Sequence, residues 1–89
     1  MESPIARRSL LEFAAMRVTY DPSVDASYIS LKDQIQDGES KTQVVCDRKG
    51  LAGDIVLDFS AEGVLLGIEV LRASQVLPKE LLNSAERLT

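Results

Sequence analysis

Asp21 and Asp25 stand four residues apart in Asp21-Pro22-Ser23-Val24-Asp25-Ala26 and form the sharpest polar pair in the chain. Two carboxylates on one loop supply the hard oxygen ligands that Mg²⁺ or Ca²⁺ takes. The run lacks the Asp-x-Asp-x-Asp-Gly spacing of a calcium loop. Asp beside Pro is also ordinary turn chemistry, in which the carboxylate accepts nearby backbone N–H groups. A turn is therefore the stronger reading, and a small-molecule or divalent-metal site using Asp21 and Asp25 is the alternative. Asp58, Glu62 and Glu69 offer carboxylates for acid–base work. Such work needs a cleft, for which a short chain leaves little room. Their simpler reading is a solvated or cross-strand-paired hairpin, with Glu69 near Arg72 or Arg17.

Other candidates are weaker. Cys46 has no His to activate it, and its strand parity places it with Val44 on the core side, as a small buried hydrophobe. Tyr20 and Tyr28 have the side chains that stack nucleobases on RNA-binding sheets. From Asp21 to Glu69, however, ten acids face four bases, a field that repels a phosphate backbone. Gly63 suits a positive φ in a hairpin turn. Gly67 lies inside a strand, where it admits close approach of a helix or a partner backbone. The Arg7-Arg8 pair reads as a solvated face.

Composition narrows the function further. A chain of 89 residues makes one domain. Hydrophobic residues at 45% and charged residues at 27% exclude a disordered chain. With no His, a His-based triad, a His–metal site and a natural base near neutral pH are all excluded. One Cys makes neither an internal disulfide nor a thiolate zinc cluster, and it fits a reducing compartment. A net charge of −4 argues against nucleic acid as the main partner. No apolar run approaches the ~20 residues of a membrane span. Glu12 interrupts the short apolar stretch after Arg7-Arg8, against an export signal, so a cytoplasmic location is expected.

The elements that must carry these side chains follow from periodicity. Ser3-Pro4 starts a helix over 5–15, with Ala6, Leu10, Phe13 and Ala14 on one stripe. The period then falls to two. Strands are expected at 16–20, 27–32, 42–46, 54–59 and 64–71, with Asp21-Pro22, Asp47-Arg48-Lys49-Gly50 and Ser60-Ala61-Glu62-Gly63 as turns. Pro78 opens a C-terminal helix to about Leu88, with Leu77, Leu81, Ala85 and Leu88 as its stripe. The expected fold is α+β: an antiparallel meander sheet of four to five strands, with an N-terminal helix and a C-terminal helix. Val45, Val56, Leu65 and Leu71 fall on the face opposite Leu66, Ile68 and Val70. A sheet with one wet side alternates more cleanly than this. Both faces should therefore be covered, one by the C-terminal helix and the other by the N-terminal helix or a second copy of the chain.

Two stretches resemble a known pattern. One runs from Met16 to Ile29 and carries Tyr20-Asp21-Pro22, Asp25 and Tyr28-Ile29. The other runs from Ile55 to Ser74 and carries Asp58, Gly63, Gly67-Ile68-Glu69-Val70-Leu71 and Ala73-Ser74. Together they resemble the small bacterial proteins of domain-of-unknown-function family 2283. Members typically share a Tyr-Asp-Pro-x-x-Asp-x-x-Tyr-Ile opening and a Gly-Ile-Glu-Ile-Leu close followed by Ala-Ser. Residues 1–15 precede the usual start of the family and read as a helical extension, native or added by an upstream start; residues 16–89 form the single domain. The resemblance implies a fold and no activity, although some relatives are similar to antitoxin partners of small toxin-like proteins. The expected function is thus a non-enzymatic, self-associating interaction module, a homodimer that also binds a toxin-like protein. No catalytic, cofactor-binding or metal-ligating residue is assigned, and neither a nucleic acid nor a membrane partner is expected.

Overall fold

The computed structural model describes residues 16–88, so the helix expected over 5–15 and the Arg7-Arg8 pair lie outside the described residues. Six strands follow in the chain: β1 (Arg17–Asp21), β2 (Ala26–Ser30), β3 (Thr42–Val45), β4 (Asp54–Phe59), β5 (Leu65–Leu71) and β6 (Glu86–Arg87). Two short helices, α1 (Ala73–Val76) and α2 (Lys79–Ser84), separate β5 from β6. The first five strands sit where alternation puts them, within two residues at each end.

Their arrangement corrects the expected antiparallel meander. The sheet has the order β3-β4-β5-β2-β1-β6, so β2 pairs with β5 and not with β3. Four of the pairings are antiparallel, while β6 runs parallel to β1 and makes the sheet mixed. The cause of the reordering is burial. β5 is the most apolar strand and takes a central place between β4 and β2, while residues 31–41 carry the chain across to the far edge.

The expected single C-terminal helix is also corrected. Leu77 is extended, with φ −97° and ψ 149°, because the ring of Pro78 excludes the helical region for the residue before it. Pro78 then starts α2, its carbonyl accepting the Leu81 and Leu82 N–H groups. Ala85 returns to extended backbone. The chain can then lay Glu86 and Arg87 beside Thr19 and Tyr20, and the Leu88 N–H donates to the Tyr20 carbonyl. What reads as the last turn of an amphipathic helix is an edge strand.

The helices cover one face. There Tyr20, Val70, Ala73 and Leu82 form the buried cluster, with Ile68, Val76, Leu77 and Ala85 packed against it. Val70, only 1% exposed, is the largest side chain so enclosed. Removing such a group costs roughly 1.5–3 kcal/mol in lost burial before any cavity term. Among the described residues no helix lies on the other face. Register places Thr19, Tyr28, Glu69, Val56 and Val45 in one row across it, and Arg17, Ser30, Gly67, Asp58 and Gln43 in the next.

Candidate functional site

The face opposite the two described helices holds one of the domain's two side-chain networks. Tyr28 leaves β2, crosses β5 at Gly67 and donates its hydroxyl to Asp58 Oδ2 on β4 at 2.7 Å. Gln43 Nε2 on β3 donates to the other carboxylate oxygen at 3.0 Å. A Cβ on Gly67 would collide with the Tyr28 hydroxyl and ring, so the glycine is what lets the phenol lie flat over the strand. The close approach expected at Gly67 is therefore real, but the visitor is a neighbouring side chain and not a helix or a partner backbone. Burial, the hydrogen bond to Asp58 and the negative charges of Asp58 and Glu69 push the Tyr28 hydroxyl well above the ordinary tyrosine range.

Beside this network lies a recess of about 280 Å³, lined by Arg17, Thr19, Tyr28, Ser30, Asp33, Gln34, Ile35, Glu86 and Leu88. Typical small-molecule pockets hold ~300–1,000 Å³, so this one is shallow even for a small ligand. Four of its polar side chains are already engaged. Arg17 Nη2 meets Glu86 Oε1 at 3.0 Å, Ser30 Oγ donates to the Lys32 carbonyl, and Tyr28 is turned to Asp58. Arg17 thus takes Glu86 as its partner and not Glu69, the neighbour expected from the hairpin.

The paired aspartates of the first turn serve different contacts. Asp21 Oδ1 accepts the Ser23 N–H at 3.0 Å and the Ser23 hydroxyl at 2.6 Å, closing the turn on itself. Asp25 adopts φ 52°, a left-handed conformation that Asp tolerates better than most residues. Its Oδ1 accepts the Tyr20 hydroxyl and the Ser74 N–H, and its Oδ2 accepts the Ser74 hydroxyl. The Asp25 carbonyl takes the Ala73 N–H as well. The turn between β1 and β2 is therefore bolted to the first residues of α1. The Ser74 and Tyr20 hydroxyls hold the Asp25 carboxyl below the usual carboxylate range, and the same bond to Asp25 raises Tyr20. Among the described residues no group of three His, Cys, Asp or Glu side chains gathers as a metal site would require.

Asp58, read as solvent-facing or cross-strand-paired, is 7% exposed and held by its two donors. Glu62 lies exposed on the hairpin turn and Glu69 on the open face. Cys46 is half-buried just past β3, where its N–H donates to the Ile55 carbonyl. Neither Gln43 nor Ser74 stood out in the sequence. Ser74 closes the Ala73-Ser74 pair of the resemblance, and Gln43 shares the parity of the open face, but neither signal alone assigns a partner.

The face is also incompletely sealed. Val45 is 61% exposed and Leu71 37%, while Val56 and Leu65 are half-buried. All four residues of β3 are exposed. No helix among the described residues is long and apolar enough to cross a membrane. A family model described as a protein of unknown function (DUF2283) matches residues 17–74, more than half of the chain. No curated protein and no solved structure matches.

Proposed function

The chain belongs to the DUF2283 family, whose description names no activity, and from that premise we propose that it is a non-enzymatic, self-associating protein-interaction module. One observation carries this reading: among the described residues, helices close the sheet on one face only. Its other face and its β3 edge present Val44, Val45 and Leu71 at 37% exposure or more. Apolar surface returned to a dry contact is worth roughly 25 cal/mol per Å², and a second copy of the chain is the nearest source of a matching surface. A sequence without His and a recess of only about 280 Å³ support the non-enzymatic half of the reading. The lone Cys suits a cytoplasmic setting. Net charge −4 suits a basic protein, of the toxin-like class, as the further partner.

Sedimentation of the full chain across micromolar concentrations tests the proposal. The expected result is a mass of two protomers; a strict monomer throughout overturns it.

A further inference from the structure

We infer that the second copy docks on β3 edge to edge, with antiparallel pairing about a two-fold axis at Val44, so that two sheets become one. This rests on the self-association reading and specifies its surface and register. β3 stands at the end of the strand order, and nothing among the described residues pairs with its outer side. Natural edges are usually blunted by charge, Pro or brevity. The opposite edge follows that rule with the two-residue Glu86-Arg87, but β3 reads Thr42-Gln43-Val44-Val45, with neither charge nor Pro.

Backbone phase selects the register. The Cys46 N–H donates to Ile55 on β4, and antiparallel alternation then turns the amides of Val44 toward β4 and those of Gln43 and Val45 outward. Hydrogen-bonded pairs with a partner must therefore be built from Gln43 and Val45. Pairing Gln43 with Val45 of a second copy does this twice and leaves Val44 facing its own mate. That register sets Lys41 and Asp47, which flank β3, opposite each other at both ends of the contact. A two-residue slip in either direction parts Lys41 from Asp47. Only the Val44-centred register matches these opposite charges, and opposite-charge pairs directly across strands are stabilising.

Cysteine cross-linking in a C46S background tests the register. In a non-hydrogen-bonded pair the two Cα atoms lie about 4.5 Å apart, inside the ~4.4–6.8 Å disulfide window. V44C should therefore oxidise to a covalent dimer. Position 45 is displaced by about two residues along the strands, beyond the ~7 Å limit, so V45C should not. K41E should weaken the dimer about tenfold, and K41E/D47K should restore it. A dimer by sedimentation in which V45C cross-links better than V44C overturns this register while leaving self-association intact; a monomer overturns both. Circular dichroism of the reduced variants establishes that each is folded before oxidation.

Discussion

Tyr28 and Asp58 are joined by a 2.7 Å hydrogen bond that passes over an intervening strand. The bond ties β2 to β4 without using the backbone ladder, and it exists because position 67 has no side chain. Gln43 extends the tie to β3. A carboxylate that is 7% exposed is thereby satisfied by donors from two strands that are not each other's neighbours.

This bridge predicts a specific non-additivity. G67A should destabilise the domain by roughly 1–3 kcal/mol, the usual cost of overpacking. In a Y28A background the same change should cost far less, because the colliding ring is gone. Y28F should cost about 1–2 kcal/mol by withdrawing one donor from a buried carboxylate. Urea unfolding of the four members of the Gly67/Tyr28 cycle checks this, and equal cost of G67A in both backgrounds would rule the collision out.

Alkaline stability should depend on the tyrosines. Both Tyr28 and Tyr20 ionise above the ordinary value of 10.0 in the folded chain, Tyr28 chiefly through burial and Tyr20 chiefly through its bond to Asp25. A raised folded value means that the unfolded state loses its proton first. The contribution is therefore complete below about pH 10 and fades as pH climbs beyond it. Absorbance at 295 nm should show less phenolate at pH 10 than in the unfolded chain, with full ionisation appearing together with loss of structure. A chain titrating near pH 10 while still folded would contradict this.

Asp25 makes the opposite prediction at low pH. Its folded value lies below the ordinary 3.8, first through the Ser74 hydroxyl and then through Tyr20. The stabilisation is therefore present above about pH 4 and disappears as pH falls through the folded value. D25N should flatten the acid limb of a stability-versus-pH curve, and S74A should flatten it partly. An unchanged acid limb in D25N would place the acid sensitivity elsewhere.

The Arg17–Glu86 pair should matter little. Its side chains are 50% and 55% exposed, and ion pairs in that setting contribute roughly 0.2–1 kcal/mol. A double-mutant cycle of R17A and E86A should give a coupling in that range that shrinks in 0.5 M salt. A larger coupling that persists in salt would make this pair the principal anchor of β6.

Much of this architecture was legible in the chain, but only at short range. Alternation located β4 at 54–59 to the residue, because Ile55, Leu57 and Phe59 share one parity and Val56 and Asp58 the other. It also put Tyr28, Asp58 and Gly67 on their respective strand faces. What it could not supply was the lateral order that makes those three neighbours, since register across strands distant in sequence leaves no periodic trace. The C-terminal stripe misled for a related reason. Leu81, Ala85 and Leu88 have helical spacing, yet the backbone leaves the helix at Ala85 to satisfy the free side of β1. The pre-proline restriction at Leu77 was readable, and it marks the break between α1 and α2.

The lateral order has a consequence for how the chain is made. β2 cannot gain its inner neighbour until residues 65–71 have left the ribosome, and the outer side of β1 waits for residues 86–87. The first hairpin is therefore complete at residue 30 and remains open on both outer sides while residues 31–64 are made. Loop closure over such distances slows assembly, and the nascent hairpin spends that interval as an exposed template for wrong pairings.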